Sequence, residues 1–330
     1  MYSRVVRDRA YGERLRAFLV QAYGLPFATL TPAPRGFFAE TWQATTTAGE
    51  RSFVKADSSP AHQARFEASL AVVDHLCRHG IDFIARPVPT AGGRLSTRFD
   101  GAVVAVFDWV DGRNVETDET KPAEYALLAR VYRVPLDGLI LPAEDFAGSG
   151  ADDVRRLLDH PPPGREAQRR SQEARELLAP VTDALAHREQ RLRHFAALCR
   201  PDRSAFRLTH GDAGGNLVVD GDRYTIVDWD EAMLAPPERD AWVMCCRDRP
   251  NRPWAQALFE DALRSAGIPY TLRPERLAYY AYAMYFFYLA EILAAFLDTG
   301  GLDRLTAYLD TDDTWGDAWI LECLRYADGI

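Results

Sequence analysis

The sequence predicts an α+β protein in which a small antiparallel sheet precedes a larger, mainly helical region. Residues 31–110 contain several β-branched and aromatic runs separated by Gly or Pro turns, a pattern typical of strands. From Pro122 onward, most apolar residues recur at helical spacing. The exception is residues 208–231, where two short β-branched runs flank a Gly-Asp turn and predict a β-hairpin.

The composition limits the class of protein. The chain has 330 residues, 47% of them hydrophobic, which is enough for about two globular domains. Its formal net charge of −9 repels phosphate backbones, so we expect no nucleic-acid partner and favour a cationic small molecule. The five cysteines are scattered, and the first residues lack the apolar core of a signal peptide, so we expect a cytoplasmic protein. The oligomeric state stays open.

The N-terminal part of the chain is predicted to contain one helix and then the strands of one sheet. Residues 8–22 place their apolar side chains on one face of a helix. Residues 37–47 and 51–55 predict a hairpin, and residues 84–88 and 94–99 predict two further strands.

Lys55 ends a short apolar strand, and the helix expected after Ser59 and Pro60 carries Glu67. A strand lysine followed by a helix glutamate is the arrangement that clamps the α- and β-phosphates of ATP. Taken alone, the two side chains would be ordinary surface charges. Because the same chain carries the hairpin at 208–231, we prefer to interpret Lys55 and Glu67 as nucleotide-binding residues.

Residues 103–110 predict a buried strand that leads into a Gly turn. A strand that leaves a small sheet in this way suits a hinge between lobes, so we place an N-terminal lobe at residues 1–110 and a C-terminal lobe at 111–330. The backbone from Phe107 to Val110 could then bind an adenine edge, although a plain core strand has the same sequence signature.

The C-terminal region is predicted to be mainly helical. Residues 123–132 form one helix, an irregular insert rich in Pro and Gly follows, and residues 165–200 form a helical pair or one long helix. Residues 277–297 are long enough to span a bilayer, but the central Glu291 and the internal tyrosines favour a buried helix. We therefore expect no membrane partner. Glu291 could face a cleft or form a structural ion pair.

The predicted hairpin should bring acidic and amide side chains together. Asp212 and Asn216 precede its first strand and Asp228 follows its second, so all three belong to one end of the hairpin. Carboxylate and carboxamide oxygens are ligands that Mg²⁺ and a phosphoryl-transfer site require. Asp230 and Glu231 add negative charge next to them.

This stretch resembles the aminoglycoside phosphotransferase and choline kinase family, which shares the protein-kinase fold. The resemblance rests on His210-Gly211-Asp212, Asn216, Asp228 in the segment VDWD, and Lys55 with Glu67 at the family's phosphate-binding positions. Residues 226–242 are similar to the spectinomycin phosphotransferases in particular. The fold expected from this resemblance is a two-lobed, protein-kinase-like α+β fold.

The resemblance implies an ATP- and Mg²⁺-dependent phosphotransferase that moves the γ-phosphate of ATP to a hydroxyl group. Asp212 would orient the acceptor hydroxyl and take its proton. Asn216 and Asp228 would hold Mg²⁺ on the phosphates, and Lys55 would neutralise them.

The acceptor implied by the resemblance is a spectinomycin-like aminocyclitol or aminoglycoside antibiotic. Asp230, Glu231 and Glu291 are the candidate contacts for its cationic groups. The remaining alternatives are a kinase of another small alcohol, such as a peptide or nucleoside antibiotic or a choline-like metabolite, and a non-catalytic nucleotide-binding pseudokinase. A protein kinase is disfavoured, because too few residues follow Asp228 before Ala235-Pro236-Pro237-Glu238 for an activation loop.

The loop before the hairpin departs from the family pattern in its length. Asn216 follows Asp212 by four positions, whereas the kinase loop pattern has five. Gly214 and Gly215 could tighten the loop through backbone angles closed to other residues. This spacing leaves open whether Asn216 reaches the metal.

Overall fold

A computed structural model describes residues 8–34, 39–115, 117–247, 252–309 and 318–330. Packing divides the chain into two compact units. The sheet unit lies within residues 2–142 and 210–233, and the helical unit lies within residues 143–209 and 234–330. These two units are groups of closely packed residues, and their bounds differ from those of the two predicted lobes. The predicted lobe boundary after residue 110 stays a prediction.

The sheet unit is built on an antiparallel sheet. Its strands are β1 (Phe27–Pro32), β2 (Ala39–Thr46), β3 (Arg51–Asp57), β4 (Pro87–Val88), β5 (Thr97–Phe99) and β6 (Ala102–Asp108). The strand order is β1-β2-β3-β6-β4, and β5 also pairs with β6. The predicted strands are thus present, although the segments expected at 84–88 and 94–99 are shorter, and residues 37 and 38 of the predicted hairpin lie outside the described residues.

Two helices cover the two faces of this sheet. Helix α1 (Arg9–Tyr23) packs Leu15 and Leu19 against the sheet face that carries Val104 and Val106. Helix α2 (Pro60–Arg78) packs Phe66 and Leu70 against the opposite face, which carries Val103 and Ala105. This division follows from the alternation of side chains along a strand, which sends neighbouring residues of β6 to opposite faces.

The strand register decides where Lys55 points. Within the sheet, β3 lies between β2 and β6, and Lys55 stands opposite Thr41 on one side and Ala105 on the other. Because Ala105 faces α2, Lys55 also faces α2, and its Nζ lies 5.4 Å from the centre of the Phe66 ring. A lysine in a central strand is therefore directed into the interior of the sheet unit.

The predicted hairpin is confirmed. It consists of β9 (Leu217–Asp220) and β10 (Arg223–Ile226), which pair antiparallel, with Gly221 in the turn at a φ of 57°. The short strand β7 (Arg113–Asn114) pairs with the outer side of β9. Helix α3 (Lys121–Val131) follows β7 in the same unit.

The helical unit contains most of the C-terminal helices. These are α4 (Gly150–Asp159), α5 (Arg165–Leu178), α6 (Thr182–Cys199), α7 (Glu238–Cys246), α8 (Ala255–Ser265), α9 (Pro274–Thr299), α10 (Leu302–Leu309) and α11 (Ala318–Asp328). Two short strands, β8 (Arg207–Thr209) and β11 (Met233–Ala235), pair with each other. The predicted helical pair at 165–200 is present as α5 and α6, joined by a 3-10 turn at Ala179–Val181. The expectation of an irregular insert was incomplete, because the insert contains α4.

Helix α9 is the centre of the helical unit, since α4, α6, α7 and α11 all pack against it. Its segment Pro274–Asp298 is long and apolar enough to cross a membrane by length and composition, and its most apolar window has a mean hydropathy of 1.5. In the most apolar window of this segment, 61% of the residues are buried inside the protein, so packing against other helices accounts for its apolar character.

Gly112 allows the close approach of β7 to β9 and gives a direct test of this packing. Its φ is 120°, and a Cβ atom there would lie 2.7 Å from the carbonyl carbon of Val219 and closer still to its oxygen. Gly164 is the control, because its φ of 119° is nearly the same but a Cβ atom added to it would meet no atom within 4 Å. Gly164→Ala therefore measures the backbone strain alone, which we expect to cost about 1–3 kcal/mol. We expect Gly112→Ala to lower the free energy of unfolding in urea by clearly more than Gly164→Ala. Equal losses would contradict the close approach.

Candidate active site

Lys55 lies at the centre of a group of charged residues in the sheet unit. Its Nζ donates to Oδ1 of Asp228 and to Oδ2 of Asp230, each at 2.6 Å. Its side chain is 11% exposed, and desolvation on its own would lower the pKa of the ammonium group. The two carboxylates outweigh this effect and hold the pKa of Lys55 above its ordinary value, so the lysine is charged.

The two carboxylates that share Lys55 differ in their environment. Desolvation would raise the pKa of Asp228, but the charge and hydrogen bond of Lys55 prevail, and the net pKa lies below the ordinary value. Asp230 is 12% exposed, against 44% for Asp228, and desolvation raises its pKa despite the same lysine. Asp228 is therefore the more acidic and the more accessible member of the pair. Its φ of 64° is rare for a residue with a side chain, which marks a strained position.

The loop that carries Asp212 is joined to the hairpin through hydrogen bonds. The carbonyl oxygen of Asn216 accepts from the backbone N–H of Val227 at 2.9 Å, so Asn216 lies opposite the residue that precedes Asp228. The side-chain Nδ2 of Asn216 donates to the backbone oxygen and to Oδ2 of Asp212, both at 2.8 Å. The shortened loop thus still brings Asn216 and Asp212 together.

His210 and Trp229 hold the Asp212 loop and the end of the hairpin in place through hydrogen bonds. His210 is fully buried, and its Nε2 donates to the carbonyl oxygen of Val227 at 2.9 Å while its Nδ1 accepts from the N–H of Asp212 at 3.2 Å. The ring of Trp229 packs edge-on against His210, and its Nε1 donates to the carbonyl oxygen of Ile226. Both side chains thus hold the backbone on either side of the site in place.

The environment of Asp212 raises the pKa of its carboxyl group, as a proton acceptor requires. Solvent reaches its side chain, yet surrounding protein atoms reduce its hydration, and this desolvation is the main cause that raises the pKa of its carboxyl group. The negative charges of Asp228 and Glu231 also raise this pKa, and the hydrogen bond from Asn216 lowers it. Because water still screens the carboxylate, the rise is smaller than full burial would give.

Lys55 and Glu67 do not form the predicted pair in the described part of the chain. Oε2 of Glu67 accepts from Arg98 at 3.2 Å, and Lys55 is paired with the two aspartates instead. The sequence placed Glu67 on the correct helix, but the adjacent Phe66 takes the position that faces the sheet, and the carboxylate of Glu67 pairs with Arg98 on β5.

The predicted adenine-binding residues lie at the end of β6 and just beyond it. Phe107 is half-buried, pairs with Phe53 across the sheet, and its ring lies 6.4 Å from the ring of that residue. Val110 follows the strand, and within the described residues its backbone N–H and C=O form no hydrogen bond. Backbone groups in this state are available to a ligand.

Helix α2 contributes two basic residues that the sequence did not single out. Arg65 donates to both carboxylate oxygens of Glu231, at 2.6 and 2.8 Å. Buried His62 is hydrogen-bonded to Asp57 through Nδ1, and its Nε2 lies 3.9 Å from carboxylate oxygens of both Asp230 and Glu231. His62 lies one helical turn before Phe66 on the apolar face of α2. A histidine among these apolar positions was the feature of the sequence that could have indicated its place beside the site.

Glu291 belongs to the helical unit, where it lies half-buried on α9. Two other acidic residues of that unit have structural partners. Glu238 accepts from the Tyr270 hydroxyl at 2.8 Å and from the backbone N–H of Arg273 at 2.7 Å, which ties down the start of α7. Glu144 accepts from the hydroxyls of Tyr279 and Tyr280 on α9.

An antiparallel sheet with a buried lysine, joined to a loop–hairpin–aspartate segment, defines a phosphotransferase of the protein-kinase-like fold. Residues 29–279 match the model of the phosphotransferase enzyme family, and the chain belongs to this family. The predicted enzyme class, fold and family resemblance are thereby confirmed.

Individual proteins are similar to most of the chain. Protein StrN of Streptomyces griseus is 28% identical over 293 residues, which cover 78% of this chain and 79% of that protein. A spectinomycin phosphotransferase solved with ADP and spectinomycin has a TM-score of 0.73 at 17% identity, and the match covers 96% of this chain and 98% of that one. An amicoumacin kinase solved with AMP-PNP, Ca²⁺ and Ami has a TM-score of 0.62 at 13% identity, with coverage of 96% and 93%.

Substituting Lys55 tests the charge balance of the site. Lys55→Met leaves Asp228 and Asp230 without their shared cation, and we expect the free energy of unfolding at neutral pH to fall by about 1–3 kcal/mol. This value is below that of a fully buried pair, because Asp228 is 44% exposed and its charge is screened.

The same variant has a defined pH dependence. Without the lysine, the folded-state pKa of each aspartate lies above its value in the unfolded chain, so stability is lost as pH rises through these values. The difference between wild type and Lys55→Met should therefore shrink as pH falls toward 3.8, the ordinary pKa of aspartate. The matched control, Lys55→Met with Asp230→Asn, should recover part of the loss in urea unfolding. A constant difference from neutral to acidic pH would refute this electrostatic account.

Proposed function

We propose that this protein is an ATP- and Mg²⁺-dependent kinase that phosphorylates a hydroxyl group of a small cationic antibiotic, an aminocyclitol or aminoglycoside similar to spectinomycin. The observation that carries the proposal is the grouping of Lys55, Asp228, Asn216 and Asp212 at one end of the hairpin, within a chain of the phosphotransferase enzyme family. Phosphoryl transfer needs a cation that binds the phosphates, a carboxylate that binds the metal ion and a carboxylate that accepts the proton of the hydroxyl group.

The residues present fit a nucleotide with its metal ion. Among the described residues, no group of three or more His, Cys, Asp or Glu side chains could hold a metal ion by itself. Mg²⁺ in kinases is held by one or two protein oxygens together with the phosphates, so an all-protein cage is not required. Asp228 and the carboxamide oxygen of Asn216 would hold Mg²⁺, which neutralises the developing charge on the phosphates when bound.

The protein groups around the nucleotide would have separate tasks. Lys55 would contact the phosphates, whereas Glu67 would keep its ion pair with Arg98. The backbone of Val110 and the strand end at Phe107 would receive the adenine edge. These tasks fit the charge of Lys55 and the unsatisfied backbone groups of Val110 in the described structure.

Asp212 would act as the base on the acceptor. The acceptor oxygen forms a bond to the γ-phosphorus, the bond from phosphorus to the leaving oxygen of ADP breaks, and Asp212 takes the proton of the hydroxyl. The raised pKa of Asp212 makes it a better proton acceptor than an ordinary aspartate. The hydrogen bond from Asn216 would keep the carboxylate in place.

The acceptor is proposed to be cationic. Asp230 and Glu231 are the candidate contacts for its ammonium groups in the sheet unit, Glu291 is a separate candidate in the helical unit, and the net charge of −9 suits such a ligand. Asp230 and Glu231 already neutralise Lys55 and Arg65, so their contact with an acceptor would require these pairs to rearrange. We further propose that the reaction takes place in the cytoplasm and confers antibiotic resistance.

Asp212→Asn separates catalysis from nucleotide binding. We expect turnover to fall by about 10²–10⁴-fold, the contribution of a positioned base, while the affinity for Mg-ATP stays unchanged. The fold should persist, because an asparagine oxygen can still accept from Nδ2 of Asn216. Product formation by mass spectrometry and ATP affinity by calorimetry check the two parts. Turnover near the wild-type rate would show that Asp212 is not the base.

The experiment that tests the function itself is a screen of ATP consumption across aminocyclitols, aminoglycosides and other antibiotic or metabolite alcohols, with Asp212→Asn as the background control. We expect ADP to form with at least one cationic alcohol, which gains one phosphate ester. If Mg-ATP binds but no alcohol is ever phosphorylated, the protein is a nucleotide-binding pseudokinase and the proposed function is wrong.

A further inference from the structure

Helix α3 begins with an ion pair that is almost completely buried. Lys121 and Glu124 are each 3% exposed, and Nζ of Lys121 donates to Oε2 of Glu124 at 3.0 Å. Burying two charges costs several kcal/mol of hydration, and well-packed apolar residues often serve stability equally well. Stability alone therefore does not explain a buried ion pair at this position.

The second carboxylate oxygen of Glu124 reaches the loop of the active site. Oε1 accepts from the backbone N–H of Gly214 at 2.9 Å. Gly214 lies midway between Asp212 and Asn216, and its φ of 100° is closed to most residues with a side chain. A hydrogen bond to an ionised carboxylate is about twice as strong as a neutral one, so it can hold a glycine in one of its many conformations.

The loop is also attached on its other side. Nδ2 of Asn114 on β7 donates to the carbonyl oxygen of Gly215 at 2.5 Å, and the N–H of Val115 donates to the carbonyl oxygen of Leu217 at 2.9 Å. Glu124 and Asn114 thus bind adjacent glycines of the loop from two different elements. Two glycines give a shortened loop the required backbone angles, but their freedom also has to be restricted.

We propose that Glu124, held by Lys121, is a positioning residue that fixes the loop from Asp212 to Asn216 in its short form. Glu124 acts through the backbone of Gly214 and needs no contact with a reacting group. Its carboxylate compensates for the position that the loop lacks, since it keeps Asp212 and Asn216 within hydrogen-bond distance of each other. The catalytic part of this proposal rests on the proposed function.

Two double variants separate the hydrogen bond to Gly214 from the buried charges. Lys121→Met with Glu124→Gln removes both charges and keeps an oxygen that can accept from Gly214. Lys121→Met with Glu124→Met removes both charges and also the acceptor, at a similar side-chain volume. A purely structural role of the ion pair predicts the same behaviour for both variants.

We expect the two variants to differ at the loop. In hydrogen–deuterium exchange, the peptide that contains residues 210–217 should exchange faster in the Met variant than in the Gln variant, while the peptides of α1 and α2 exchange equally in both. With Mg-ATP and an acceptor, kcat should be about 10- to 100-fold lower in the Met variant, as for a misplaced reacting group, with an unchanged KM for ATP. Equal exchange of the loop in both variants would overturn the proposal.

Two further arms keep the test decisive. Glu124→Asp keeps the charge beside Lys121 but shortens the side chain that reaches Gly214, so it serves if the double variants do not fold. It should show the faster loop exchange, and wild-type exchange in this variant would also count against the proposal. If the wild type phosphorylates no alcohol, the proposed function fails, whereas the exchange of residues 210–217 still decides whether Glu124 fixes the loop.

Discussion

The ion pairs of Lys55 with Asp228 and Asp230 join the central strand of the sheet to the segment that follows the hairpin. Lys55 and Asp230 are nearly buried, so each would carry a large cost of dehydration without the other, whereas the more exposed Asp228 stays partly hydrated. The sheet, through β3, therefore determines where the hairpin ends. The hairpin in turn determines where Asn216 lies, through the hydrogen bond between its carbonyl oxygen and Val227.

Function and stability make opposite demands on the same charges. A site for phosphate and metal requires a cation and carboxylates at close range, and in the described structure these groups neutralise one another. The strained backbone of Asp228 and the raised pKa of Asp212 show that the fold holds both residues in unfavourable states. Such states persist where surrounding contacts hold the backbone in place. Here these contacts are the hydrogen bonds of His210, Trp229 and the buried carboxylate of Glu124.

The sequence could predict what depends on local spacing. The hairpin, and with it the neighbourhood of Asp212, Asn216 and Asp228, followed from two β-branched runs and a Gly-Asp turn, and the strand of Lys55 followed from a short apolar run after a turn. The pairing of Lys55 with Asp228 and Asp230 could not be predicted, since it joins residues 173 and 175 positions apart in the chain. Glu124 was missed because an i,i+3 pair of Lys and Glu at the start of a helix ordinarily lies in solvent.

We propose that Lys55 and Asp228, which are joined by an ion pair, together form the phosphate and metal site. The most direct measurement is calorimetric titration of ATP, with and without Mg²⁺, into wild type, Asp228→Asn and Lys55→Met. We expect Mg²⁺ to strengthen binding to the wild type, Asp228→Asn to lose this metal dependence, and Lys55→Met to bind ATP weakly under both conditions. Equal affinities of all three proteins, with no effect of Mg²⁺, would contradict it.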